Sequence, residues 1–124
     1  MQLILVVDDN PDVRFALTTL LDDEGYEVME ASDGDVGIDA ARERKPDLIL
    51  LDLMMPRMDG FETLRELKKD ENLCDIPVVV LTARRGSEDM PLAMALGAAD
   101  YLHKPWDDGG LELAVRKALG EIDE

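Results

Sequence analysis

Five side chains in this sequence have the chemistry to handle a phosphoryl group: the carboxylates of Asp8, Asp9 and Asp52, the hydroxyl of Thr82 and the ammonium of Lys104. Three carboxylates held within several ångströms of one another repel, and unless a cation joins them at least one must keep its proton to unusually high pH. A hard divalent ion such as Mg2+ resolves that conflict, because it accepts a few carboxylates together with waters and phosphate oxygens in octahedral geometry. Asp52 can then present one oxygen as a nucleophile toward phosphorus. The metal and Lys104 would offset charge on the equatorial oxygens of a loose transition state. Thr82 would hydrogen-bond a phosphoryl oxygen on its arrival, with Ala83 beside it leaving the approach uncrowded.

Each residue has an ordinary explanation when taken alone. Asp8-Asp9 could begin a turn and cap the next helix, and Asp52, ahead of Met54-Met55-Pro56, could be a turn residue. Thr82 suits a strand by propensity, and Lys104 could be one more solvated lysine. Their joint placement is what argues for function. Short apolar runs occur at Leu3–Val7, at Val28–Met29 in a mixed stretch that begins near Tyr26, and at Leu48–Leu53, Ile76–Leu81 and Ala98–Leu102. The central three do not alternate polar with apolar, which marks strands covered on both faces of a parallel sheet. Strand one ends in Asp8-Asp9, strand three in Asp52 and strand four in Thr82, while strand five runs into Lys104-Pro105. In an open α/β sheet the working crevice lies beyond the carboxyl ends of the strands, so all five residues converge on the working edge.

Helical spacing fills the intervals. Val13, Ala16, Leu17, Leu20 and Leu21 form one apolar stripe, Phe61, Leu64 and Leu67 a second, and Leu111, Ala114, Val115 and Ala118 a third. Gly34–Arg44 and Ser87–Leu96 are weaker helical stretches. Asn10-Pro11-Asp12 reads as an N-cap, a proline at the first helical position and an acid facing the dipole. Ser87-Glu88-Asp89 and Trp106-Asp107-Asp108 suggest further acidic helix starts, and Gly25 and Gly97 helix stops. Five βα units with right-handed crossovers make a doubly wound, three-layer α/β sandwich with a five-stranded parallel sheet and five helices. A chain of 124 residues fits one domain, 1–124, with a core of about 3–119.

Composition narrows the function further. Hydrophobic residues make up 46% of the chain, enough for a packed core, whereas 29 acidic residues against 13 basic ones leave a net charge of −16. Such a surface repels phosphate backbones and anionic lipid, so direct binding to nucleic acid or membrane is not expected. The single cysteine, Cys74, cannot close an intramolecular disulfide, and no signal-like or membrane-spanning stretch stands out. A cytoplasmic location is expected. Asp52 is followed by Leu53 and Met54 rather than by a second acid able to activate water, so an acyl phosphate there should persist. That favours a switch over an enzyme. The enzymatic alternatives on this fold are weaker: a phosphatase with an aspartyl intermediate lacks its second acid, and a flavin carrier would need a phosphate loop where Asp8-Asp9-Asn10-Pro11 stands.

These motifs resemble a known family. Val6-Val7-Asp8-Asp9-Asn10, Leu51-Asp52-Leu53-Met54-Met55-Pro56-Arg57-Met58-Asp59-Gly60, Leu81-Thr82-Ala83 and Tyr101-Leu102-His103-Lys104-Pro105 are similar to those of the response-regulator receiver domains of two-component signalling. The intervals match too, thirty residues from Asp52 to Thr82 and twenty-two from Thr82 to Lys104. The resemblance covers Leu3 to Leu119 and implies a flavodoxin-like strand order of 2-1-3-4-5.

It implies in addition that Asp52 is the phosphoacceptor, charged by a histidine kinase or phosphotransfer protein. Mg2+ would be held by the carboxylates of Asp9 and Asp52, the main-chain carbonyl of Met54, and Asp8 through water. Lys104 would pair with the phosphoryl group, and the Lys104–Pro105 peptide would be cis. Thr82 would move toward the phosphoryl group and Tyr101 would turn into the vacated space; a half-buried strand aromatic is the plainer reading of Tyr101. The fourth helix, fifth strand and fifth helix would then bind a downstream protein or a linked output domain, with a phosphorylation-dependent homodimer as a further option. Met54 and Arg84 occupy positions that tune how long the phosphoryl group survives, and a bulky Met54 would hinder in-line water. Arg84 and Arg85 read equally as solvated surface, and His103 as structural or exposed.

Overall fold

The apolar runs form two interleaved sets, one for each face of a sheet. Leu5, Val7, Ile49, Leu51, Val78 and Val80 are buried in one hydrophobic layer, whereas Ile4, Val6, Leu48, Leu50, Val79 and Leu81 are buried in the other. Successive residues of a strand point to opposite faces, so a run that must bury both carries no polar alternation. The computed structural model describes residues 2–55, 59–83, 88–106 and 109–121. It has five parallel strands, β1 (Leu3–Val7), β2 (Glu27–Ala31), β3 (Leu48–Asp52), β4 (Val78–Thr82) and β5 (Asp100–His103), in the order β2-β1-β3-β4-β5. The helices are α1 (Pro11–Asp23), α2 (Gly34–Glu43), α3 (Gly60–Lys69), α4 (Asp89–Ala95) and α5 (Gly110–Ala118). Leu17 and Leu21 of α1 and Leu111, Ala114 and Val115 of α5 cover one face, while Ile38 and Ala41 of α2, Leu64 and Leu67 of α3 and Ala93 of α4 cover the other. The expected doubly wound fold and strand order are therefore the observed ones.

Helix entry follows local chemistry. Asn10 caps α1 with its side chain accepting from the amides of Asp12 and Val13, and Pro11 opens the helix. Asp33 and Asp59 cap α2 and α3 in the same way, through the amides of Val36 and Glu62. These two caps were not singled out from the sequence. Gly25 and Gly97 adopt φ of 93° and 106°, the left-handed conformation that ends α1 and α4.

The starts of β4, β5 and α5 shift. β4 begins at Val78 rather than Ile76, because the Ile76 amide bonds Leu73 in a turn and Pro77 has no amide hydrogen to give. β5 begins at Asp100 rather than Ala98, since the Ala98 amide donates to Ala93 and so belongs to the closure of α4. α5 starts at Gly110, capped by left-handed Gly109, so the acidic start expected at Trp106-Asp107-Asp108 does not open it. Asp107, Asp108, Pro56, Arg57, Met58, Arg84, Arg85 and Ser87 lie outside the described residues. No helix among the described residues is long and apolar enough to cross a membrane.

Candidate functional site

Parallel pairing aligns the strand ends. Val7 is level with Leu51, Asp52 with Leu81, and Thr82 with His103. The residues that follow or finish these strands therefore gather at one edge: Asp8 after β1, Asp52 closing β3, Thr82 closing β4 and Lys104 after β5. One oxygen each from Asp8, Asp9 and Asp52 lie within 4.8 Å of one another. Asp8, Asp52 and Thr82 are buried, and Asp9 is exposed at the mouth.

Lys104 is a local counter-ion. Its ammonium lies 2.6 Å from Oδ2 of Asp8 and 3.6 Å from Oδ1 of Asp52. Its own amide donates to the Thr82 carbonyl at 2.8 Å, and the Lys104–Pro105 peptide is cis, as expected. Asp8 accepts in addition from the Asn10 amide at 2.9 Å, and Asp52 from the Met54 amide at 3.2 Å. Burial, joined by repulsion from Asp8, pushes the Asp52 carboxyl from 3.8 up to about 6 against the pull of Lys104 and the Met54 amide. Fixed donors thus leave Asp52 under-compensated. Three hard oxygen donors clustered around an acid with that deficit fit a divalent cation of the Mg2+ type.

The loop that follows Asp52 is held from behind by a residue that sequence reasoning placed only within a motif. The Gly60 amide donates to the Leu53 carbonyl at 3.0 Å, and a Cβ on Gly60 would stand 2.5 Å from the carbonyl oxygen of Asp52. Only glycine lets α3 approach the strand end this closely. Arg14, not singled out from the sequence at all, donates from Nη1 to the Asp8 carbonyl at 2.6 Å and from Nε to Glu30 at 3.2 Å. Its distance from Asp8 along the chain carries no motif, so only the turn of α1 reveals the contact.

Tyr101 is buried, with its ring edge-on to His103 at 5.3 Å between centroids. Met54 presents its side chain to solvent at the lip of the site, 53% exposed.

The model of the response regulator receiver domain matches residues 4–116. The chain belongs to that family. Receiver domains are signalling modules of response regulators rather than conventional enzymes. Among relatives, the chain is 38% identical over 119 residues to protein PilH of Pseudomonas aeruginosa, covering 96% of this chain and 98% of PilH. It is 42% identical to the DNA-binding response regulator MtrA of Mycolicibacterium smegmatis, covering 95% of this chain but 50% of MtrA. The chain thus spans the full length of some relatives and about half of others. Among solved structures, chemotaxis protein CheY4 of Vibrio cholerae superposes with a TM-score of 0.89 at 30% identity, over 95% of this chain and 98% of that one. A putative response regulator from Chloroflexus aurantiacus superposes with a TM-score of 0.91 at 28% identity, over 96% and 98%.

Proposed function

We propose that this receiver domain is a phosphorylation-activated switch in which Asp52 accepts a phosphoryl group from the phosphohistidine of a kinase or phosphotransfer protein. The observation that carries the reading is the acidic cluster itself: three carboxylates within 4.8 Å, a half-buried ammonium beside them, and an acceptor acid raised to about 6. The carboxylates of Asp8, Asp9 and Asp52 and the main-chain carbonyl of Met54 would hold Mg2+. When bound, the metal offsets carboxylate repulsion and shares the charge of the phosphoryl oxygens.

In the transfer, an Asp52 oxygen forms the new bond to phosphorus as the phosphorus–nitrogen bond of the donor breaks, and the imidazole leaves with the electron pair. Lys104 sits within reach of both Asp8 and Asp52, and its ammonium would follow the developing charge onto the phosphoryl group. Thr82 would donate its hydroxyl to a phosphoryl oxygen. The donor would approach over an apolar groove beside Lys104, lined by Val13, Ala16, Pro105 and Trp106.

Readout would use the face of α4, β5 and α5. Helix α4 buries only Asp89 and Ala93, and it exposes Met90, Leu92 and Met94, while α5 exposes Leu113. A short helix with so small a buried face is readily repositioned, and these apolar side chains suit a protein partner or a linked output domain. Thr82 and Tyr101 would couple the site to that face. Because MtrA is named as DNA-binding and this chain matches half of it, a DNA-binding output would reside in another domain, in keeping with a net charge of −16 here. The cytoplasm, where phosphohistidine donors of this kind would meet the domain, is the expected location.

Incubation with acetyl phosphate or phosphoramidate and Mg2+, followed by intact mass measurement, tests the reading. A phosphoryl adduct that disappears in Asp52→Asn and in the presence of a chelator is expected. No adduct on the wild type under any of these donors would overturn it.

A further inference from the structure

Arg14 grips the backbone that carries two of the three site carboxylates. It lies on α1, six residues beyond Asp8, with its side chain 19% exposed. Nη1 donates to the Asp8 carbonyl at 2.6 Å, and Nε donates to Oε1 of Glu30 at 3.2 Å. Glu30 stands on β2, in register with Val6 of β1. The guanidinium is therefore held by the neighbouring strand on one side and holds the loop leaving β1 on the other.

The peptide group is planar, so the Asp8 carbonyl and the Asp9 amide move as one unit. Asp8 has further anchors: its amide donates to Ala31, and its carboxylate takes the Asn10 amide and Lys104. Asp9 is exposed, and its direction depends on the backbone beneath it. Fixing the oxygen of that shared plane fixes where Asp9 begins.

We propose that Arg14, oriented by Glu30, is a positioning residue of the acidic site, holding the Asp8–Asp9 peptide so that the Asp9 carboxylate converges with Asp8 and Asp52 on a divalent cation. The proposal rests on the divalent-cation reading given above. Two simpler roles make different predictions. A guanidinium acting through its charge would repel a cation, so its removal would tighten binding. A guanidinium acting only on stability would change melting and leave affinity alone. Positioning demands weaker binding in a folded protein, and groups that orient metal ligands from behind typically carry about 10–100-fold of affinity.

Calorimetric titration with Mg2+ distinguishes these roles, with circular dichroism and thermal melting run on the same samples. Arg14→Met is expected to raise the Kd about tenfold. Arg14→Lys, which keeps the charge and one reaching donor, should fall between it and the wild type. Glu30→Gln should weaken binding as well, and the double variant Arg14→Met/Glu30→Gln should be no weaker than Arg14→Met alone. A folded Arg14→Met protein that binds Mg2+ as tightly as the wild type, or more tightly, overturns the proposal. So do independent, additive losses in the double variant. If Arg14→Met fails to fold, Arg14→Lys and Glu30→Gln decide by the same criterion. A wild type that takes up no Mg2+ would instead defeat the divalent-cation reading beneath it.

Discussion

The ammonium of Lys104 lies 2.6 Å from Oδ2 of Asp8, a full ångström closer than its approach to Asp52. The lysine thus sits against the carboxylate that is 2% exposed and leaves Asp52, at 4%, the less compensated of the two. Among the described residues, Lys104 serves two buried acids at once.

Removing that cation should expose the arrangement. Lys104→Met leaves the Asp8 carboxylate buried, with the Asn10 amide still donating to it, and stripping one partner from a buried ion pair costs about 3–5 kcal/mol. Thermal melting in chelator should show a large loss of Tm. Mg2+ should then recover more Tm in Lys104→Met than in the wild type, because the metal no longer competes with an ammonium. Equal recovery in both proteins would count against a shared site.

The raised pKa of Asp52 has a stability consequence of definite sign. With a folded value of about 6 against 3.8, the folded state binds this proton more tightly than the unfolded chain. Stability from this group is full below about pH 4 and is lost as pH rises through about 6, a difference of about 3 kcal/mol. Asp52→Asn removes the ionisation. In the absence of divalent cations it should therefore be more stable than the wild type above pH 6, and the gap should close toward pH 4. Urea denaturation across that range measures it, and a gap that does not vary with pH refutes the assignment.

Gly60→Ala should act on Asp52 through its backbone. The added methyl would crowd the Asp52 carbonyl and the Leu53 backbone. Overpacking of this kind costs about 1–3 kcal/mol, and the strand end must shift to relieve it. Both the Tm and the rate of adduct formation with acetyl phosphate should fall. An unaffected rate would show that the acceptor tolerates displacement of its backbone.

On the proposed function, Met54 should bear on how long a phosphoryl group on Asp52 lasts. Its amide donates to Asp52 while its side chain stands at the solvent edge, where it can obstruct water approaching in line. Met54→Asn should shorten the lifetime of the adduct severalfold, followed by mass spectrometry after donor removal. An unchanged or longer lifetime would contradict the obstruction.

Much of this domain is written in runs of residue types. The double-faced apolar strands at Leu3–Val7 and Leu48–Asp52 point to a buried parallel sheet, because the strands of such a sheet are covered on both faces. A parallel sheet then dictates that Asp8, Asp9, Asp52, Thr82 and Lys104, all at strand ends, share one edge. Those residues were legible because their positions follow from period and direction alone. The tertiary structure decided what period cannot express. Which acid receives the lysine is set by packing: Lys104 favours Asp8, while burial and repulsion from Asp8 push the Asp52 carboxyl up to about 6. The pairing of Arg14 with Glu30 and the Asp8 carbonyl joins a helix to two strands, and the closeness of Gly60 to the Asp52 carbonyl is a matter of tenths of an ångström between elements. Contacts between elements depend on how layers dock, and a linear pattern of residue types holds no record of that distance.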